Sequence, residues 1–403
     1  MQALPPLRGI RVLDLGQYIS GPVTGVLLAE MGADVIKIEP PEGDPFRSWE
    51  DGLSATFVAF NRGKRSVVLD LKSDEGRQRL IELAETADVL IENFRPGVTK
   101  RLGIDYEAIK NINSNLVYCS ITGFGSDGPY IGRPAYDSVA LGYSGFAGLM
   151  LDPESPRLLG PAIADTVTGH SASFSIVAAL FDRFMSQRGQ FLEISMFGAL
   201  VHFLHLAVSK KVIEDSEEDP YSRVRGSQAY VFVTNEGKAL LIHMSSPPKF
   251  WEGLCNAVSR PDLITDTRFA KRSDRQKNYE LLRTELEPIF QSGSREEWLN
   301  LLRNHQVPCA PVNSIGEALS DEQFKLLGIV DTIDEPGLGP MPRIRPPVHW
   351  GGEALPPVSR APFLGEHTQE VFEEAKKVLN DRAKSASTVR FGKMQSISER
   401  NQV

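Results

Sequence analysis

The chain has 403 residues, of which 41% are hydrophobic and 24% charged, and a formal net charge of −8. This balance suits a globular protein of two domains and excludes a disordered chain, and the acidic charge argues against a nucleic-acid binder, which carries a basic footprint. No apolar stretch reaches the roughly 18 residues of a membrane span, no secretory pattern opens the sequence, and Cys119, Cys255 and Cys309 are spaced as free thiols of a reducing, cytoplasmic compartment.

Ile10–Leu15 is a short apolar run that predicts a buried strand. Ser20-Gly21-Pro22 predicts a helix start, with Ser20 as cap, and Gly32 its end. Asp34–Ile38 is the next strand, which completes a βαβ unit and implies a parallel sheet. The pattern recurs with a strand at Ser66–Leu71, a helix at Asp74–Ala87 and a strand at Val89–Glu92. A helical stretch, a strand at Leu116–Ile121, a long apolar helix at Ala164–Met185, a strand at Phe191–Ser195 and a helix at Gly198–Lys211 follow. Residues 1–212 therefore read as a large doubly wound, Rossmann-like α/β domain.

The polar stretch 213–228 reads as a linker. Residues 229–325 read as a smaller α+β domain. Its strands Ala229–Val233 and Ala239–His243 flank an Asn235-Glu236-Gly237 turn, and helices lie at Lys249–Val258, Gln276–Phe290 and Arg295–His305. The Pro- and Gly-rich stretch 326–352 reads as a return linker, and 353–403 as a segment that completes the large domain. Its polar final residues, about 25 of them, read as a disordered tail.

Gly123–Gly128 matches the G-x-G-x-x-G pattern after a predicted strand, but Pro129 and Pro134 follow where a helix should open. His202 and His205 share a helix face, yet the sequence places no third ligand beside them, so they read as packed core or interface histidines and no metal site is expected. The basic run Arg268–Lys277 is broken by Asp274 and reads as a solvated face. Asp165 stands at the mouth of the long apolar helix. Local sequence alone leaves two readings of it: a helix cap, or a carboxylate kept ionised to attack an activated acyl group.

Several ordered segments together resemble the class III CoA-transferases, the family of formyl-CoA transferase and carnitine-CoA transferase. They include RVLDLGQYISGP (11–22), LAEMGADVIKIEPPEGDPFR (28–47), NRGKRSVVLDLKSDEGR (61–77), ADVLIENFRPGVTKRLGIDYE (87–107), RPAYDSV (133–139), ADTVTG (164–169) and APFLGEHTQEV (361–371). The resemblance implies acyl-CoA and a free carboxylic acid as substrates, no tightly bound cofactor, and an interlocked homodimer. It places the nucleophile at Asp165, which would pass through a mixed anhydride and an aspartyl-CoA thioester. It places CoA contacts at Tyr18, Ile19, Leu69 and Lys72, and further ones at Asn93, Phe94 and Arg101. Tyr136 and Asp137 complete the implied site. Where formyl-CoA transferase has a basic residue after VIKIE this chain has Pro40, for which Arg47 or Lys37 would have to substitute. Its polyglycine run is reduced here to Gly226-Ser227-Gln228. Backbone N–H groups of Gly123–Gly128 or Gly142–Gly148 are candidates for an oxyanion site. The racemase branch carries a histidine where this chain has Tyr136, which disfavours two-base proton exchange. A non-catalytic subunit of a heteromer is the other alternative, and the presence of Asp165 argues against it.

Overall fold

A computed structural model describes residues 4–47, 53–158, 160–335, 338–382 and 384. The tail expected at the end of the chain lies, from 385 on, outside the described residues. The chain divides into two compact units. The first comprises residues 1–146, 158–204 and 328–403, and the second 147–157 and 205–327.

The first unit opens with β1 (Arg11–Asp14), α1 (Ser20–Glu30), β2 (Asp34–Glu39), α2 (Ala55–Asn61), β3 (Lys64–Val68), α3 (Asp74–Thr86) and β4 (Val89–Glu92). It continues with α4 (Val98–Leu102), α5 (Tyr106–Ile112), β5 (Val117–Thr122), α6 (Asp137–Tyr143), α7 (Ile163–Ser186), β6 (Phe191–Ser195) and α8 (Met196–Phe203). The six strands pair in parallel in the order β3-β2-β1-β4-β5-β6. Side chains alternate across the pleat. Leu13, Ile36, Leu90 and Tyr118 face Leu80 and Leu83 of α3, together with Val371 and Ala375. Val12, Val35, Val89 and Val117 face Leu28 and Ala29 of α1 and Ala172 and Ile176 of α7. Both faces are covered, which is why the strands read as apolar runs.

Chain order reverses between β1 and β4. In open parallel sheets the crevice at such a switch point, beyond the carboxyl ends of the strands, is where ligands bind. Here it is bordered by the turn after β1 and the turn after β4.

The second unit contains α9 (His205–Glu214), α10 (Ser222–Ser227), β7 (Ala229–Val233), β8 (Ala239–His243), α11 (Pro248–Ala257), α12 (Arg272–Lys277), α13 (Tyr279–Phe290), α14 (Arg295–Asn304) and β9 (Cys309–Pro311). Its antiparallel sheet has the order β7-β8-β9. Tyr230, Phe232, Leu254, Leu286 and Phe290 share its core.

Three expectations are corrected. The linker at 213–228 contains α10, and the helix expected over Gly198–Lys211 is two helices broken at Leu204. The return linker at 326–352 carries a ribbon of β10 (Val330–Glu335) and β11 (Gly339–Ile344). Pro340 and Pro342 sit in β11, where a two-stranded ribbon leaves one edge that needs no donor. No single helix among the described residues is long and apolar enough to cross a membrane.

Candidate active site at the strand-order reversal

The turn after β1 is built on close backbone approach. A Cβ on Gly16 would lie 2.7 Å from the Gly21 Cα, and one on Gly169 of α7 would lie 2.6 Å from Val23 Cγ1 of α1. These glycines let β1 run tightly into α1 and let α7 press on the first turn of α1. Asp165 is one turn before Gly169 and on the same helix face. Its carboxyl is therefore placed towards the start of α1, where the Ser20 hydroxyl and backbone N–H favour its ionised form.

This corrects two cap assignments. Ser20 is not the cap of α1 but its first residue, after Ile19. Asp165 does not cap α7, whose cap is Ala162. The Asp165 backbone N–H donates to Asp137 Oδ1 at 3.1 Å. The Asp137 carboxylate thus serves the start of α7.

Burial, and then the charge of Asp137, push the Asp165 carboxyl up to about 6, against the pull of the two Ser20 donors. The helix terminus does not lower this carboxylate as the sequence suggested. Desolvation outweighs it, yet the group is still mostly ionised at neutral pH.

Asn93, directly after β4, fixes the turn from the other side. Its Oδ1 accepts the Gln17 N–H at 2.8 Å, and its Nδ2 donates to the Gln17 carbonyl at 2.8 Å and to Ser20 Oγ at 3.3 Å. Tyr18 adopts φ +62°, a left-handed conformation costing about 1–3 kcal/mol in a residue other than glycine. Its ring meets Phe46 at 5.7 Å and Tyr136 at 6.1 Å, both edge to face. Burial, and then Tyr136 as charge and hydrogen-bond partner, raise the Tyr18 phenol above its ordinary value. Both rings keep an open side, Tyr18 being 38% and Tyr136 60% exposed.

Glu92, the last residue of β4, is buried beside this turn. Burial pushes it up to about 7, against hydrogen bonds from Ser120 and the Phe94 N–H, and the charge of Glu193 adds to the rise. The G-x-G-x-x-G segment follows β5 and is stapled by Glu193 of β6, which accepts from the Ser126 N–H and hydroxyl. The Gly125 N–H donates to Thr122 Oγ1 at 2.9 Å. Two of the loop's backbone N–H donors are thereby occupied within the protein.

The structure brings together Asp165, Tyr18, Ile19, Asn93, Tyr136 and Asp137. It does not add Leu69 as a side-chain contact, since that side chain is buried in the core. Lys72 and Arg101 are exposed after β3 and at the end of α4, and Phe94 packs partly against the core. Neither candidate substitute for a basic residue at Pro40 is available. Lys37 is buried against Asp44 at 2.9 Å, and Arg47 is engaged by Glu39 at 2.7 Å. Gln228 is locked in the second unit between Arg275 and the Ser245 carbonyl. His202 and His205 are exposed on the single chain, not in its core. Among the described residues no cluster of three His, Cys, Asp or Glu could hold a metal ion. A cleft of about 650 Å³ lined by Arg11, Asp34, Arg65 and Glu374 opens instead at the amino ends of the strands. Its walls are ion pairs already made within the protein, and it lies away from Asp165.

Sequence reasoning missed Ser20 and Gln17. The contact between the starts of α1 and α7 is long-range, and only the small residues Gly16, Gly21 and Gly169 hinted at it.

The fold and site define a doubly wound α/β protein with a part-buried, ionisable carboxyl at the switch point. Its relatives agree with that class. Succinate--glutarate CoA-transferase of Agrobacterium fabrum is 34% identical, with 92% of this chain and 96% of that one covered. Succinyl-CoA:glutarate CoA-transferase of Mus musculus is 32% identical over 92% of this chain and 87% of its own. The crystal structure of a CAIB/BAIF family protein from Brucella suis superposes with a TM-score of 0.83 at 33% identity, covering 93% of this chain and all of that one. Residues 7–368 match CoA-transferase family III, and the chain belongs to that family.

Proposed function

We propose that this enzyme moves CoA from succinyl-CoA to a free dicarboxylic acid of the glutarate class, with Asp165 as the covalent nucleophile. What carries the reading is Asp165 itself: an ionisable, part-buried carboxyl at the switch point, beside Asp137, whose Oδ1 accepts its backbone N–H. The substrate pair is supported by the names of the two transferases above. Attack of the carboxylate on the donor thioester gives a mixed anhydride, which conserves the thioester's activation and divides the exchange into easier steps. Asn93 shapes the turn that presents Ser20, and Tyr18 and Tyr136 border the entry. Tyr136 in place of a histidine speaks against racemisation. Lys72 and Arg101 are suited to the phosphates of CoA.

Phe174, Phe181, Phe184 and Met185 of α7 are each more than 70% exposed. An apolar stripe of that kind on a long helix is the surface a partner covers, and we assign it to a second copy of the chain. The three free cysteines fit a reducing, cytoplasmic setting. A panel of acyl-CoA donors against mono- and dicarboxylates, read by mass, tests the substrate assignment. Transfer from succinyl-CoA to glutarate well above that to short monocarboxylates is expected. Turnover confined to formyl-CoA and oxalate would reject it.

A further inference from the structure

The left-handed conformation of Tyr18, at φ +62°, persists only if its surroundings fix it. The residues around it show how this is done. Gly16 has both its peptide groups taken: its N–H donates to Asp14 Oδ1 at 2.8 Å, and its carbonyl accepts from Lys37 Nζ at 2.8 Å. Asn93 does the same for Gln17. On the other flank Ile19 packs against the cluster of Phe46, Phe57 and Ala361, and the Tyr18 ring meets Phe46 edge to face. Phe46 is itself held at both peptide groups. Its N–H donates to Asp44 Oδ1 at 3.0 Å, and its carbonyl accepts from the Ser54 hydroxyl at 2.8 Å.

Lys37 and Asp44 join these two sides. Lys37 Nζ, which holds the Gly16 carbonyl, pairs with Asp44 Oδ2 at 2.9 Å. One ion pair therefore anchors both the turn that carries Tyr18 and the segment that carries the ring beneath it. The two side chains are 1% and 0% exposed. Burial works against the Lys37 charge, but Asp44, then Asp14 and Glu39, outweigh it and raise the ammonium above its ordinary value. A buried pair of this kind is a poor source of net stability, since the desolvation of two charges offsets their attraction.

Resting on the reading of Tyr18 as part of the entry for the thioester, we propose that Lys37 and Asp44 are positioning residues: their ion pair keeps the Tyr18–Phe46 corner formed for coenzyme A before the ligand arrives. Being buried, neither meets the ligand itself. They act on affinity, because a ligand binds more weakly in proportion to the fraction of molecules in which its site is formed.

The test uses the full-length protein, titration calorimetry with coenzyme A, and hydrogen exchange of the turn with and without it. The double variant Lys37→Met, Asp44→Asn removes both charges together, so no lone charge is left in the interior, and the asparagine still accepts the Phe46 N–H. The Gly16 carbonyl loses its donor and the two sides lose their link. Coenzyme A should bind about tenfold more weakly, as for a corner formed in about one molecule in ten. The amides of residues 16–19 should exchange faster than in wild type without coenzyme A and return towards wild-type protection when it is saturating. A purely structural role would lower the melting temperature and move neither readout. Should the double variant fail to fold by circular dichroism, Asp44→Asn alone weakens the link while Lys37 keeps its hold on Gly16, and the same two changes are expected, with affinity lowered about threefold. Unchanged affinity, or weaker binding with the turn as protected as in wild type, would overturn the role of the pair. Tyr18→Ala tests the reading underneath: it too should weaken coenzyme A binding about tenfold or more, and wild-type affinity there would remove this corner from the entry. Neither measurement requires Asp165 to be acylated, so a failure of the nucleophile assignment shows elsewhere, in trapping.

Discussion

Carboxylates gather at both ends of the parallel sheet of the first unit, and the two ends treat them in opposite ways. At the amino ends Arg11 and Arg65 grip Asp34 and Glu374 at 2.6–3.0 Å, and Arg183 holds Asp88 at 2.9 Å. The hydrogen bond from Arg65 is the largest favourable influence that holds Glu374 below the usual carboxylate range. At the carboxyl ends Asp165 and Glu92 meet hydroxyl and amide donors and further carboxylates, and both are pushed up. The first arrangement ties helical residues 368–382 to the sheet; the second leaves carboxyls raised by burial and by neighbouring carboxylates. Carboxylates without a cationic partner, rather than the cleft at the amino ends, single out the candidate site.

The predictions separate the two ends. Asp165→Ala should reduce transfer by several orders of magnitude, on the order of 10⁴-fold, while melting is unchanged or raised. A residual rate above about a hundredth of wild type would break the contrast.

Lys64→Ala should cost about 3–5 kcal/mol in chemical denaturation. It removes the buried ammonium that donates to Asp14 at 2.7 Å, to the Pro22 carbonyl at 2.9 Å and to Asn61 at 3.0 Å, beneath the turn after β1. A loss under about 1 kcal/mol would mean that this turn does not depend on its buried pair.

The pH profile comes next in size. The rate should fall as pH drops through about 6, because the attacking form of Asp165 is the carboxylate. Asp137→Asn keeps an oxygen for the Asp165 N–H but removes the charge, so its acid limb should move to lower pH. The linked stability has the opposite sense. A carboxyl raised in the fold contributes stability at low pH, and this is lost as pH rises through about 6. Asp165→Asn should therefore melt higher than wild type at pH ~7 and no higher at pH ~4.

Glu374→Gln should have the smallest effect, about 1 kcal/mol given its partial exposure, with kcat unchanged. Its pH sense is the reverse of Asp165. A carboxyl lowered in the fold contributes stability above the ordinary carboxylate range, and this is lost as pH falls.

Much of the scaffold was legible because parallel strands buried on both faces read as apolar runs, as Val89–Glu92 did. The ribbon at 330–344 was hidden by Pro340, Pro342 and Gly339, which signal a linker in sequence and are tolerated in a two-stranded edge. The break at Leu204 carries no glycine or proline to announce it. Asp165 was visible as part of ADTVTG, but its environment was not. Local reasoning saw one helix start and inferred an acidified carboxylate. The fold brings a second helix, a buried setting and Asp137, and the balance reverses.

The central claim is that Asp165 becomes acylated, and trapping tests it most directly. The enzyme is incubated with succinyl-CoA and hydroxylamine without acceptor, digested with trypsin, and the peptide of residues 158–183 is weighed. The account predicts a hydroxamate on Asp165 that appears only with donor and is absent from Asp165→Ala. A modification on another carboxylate or on a cysteine peptide, with 158–183 unchanged while turnover proceeds, would contradict it.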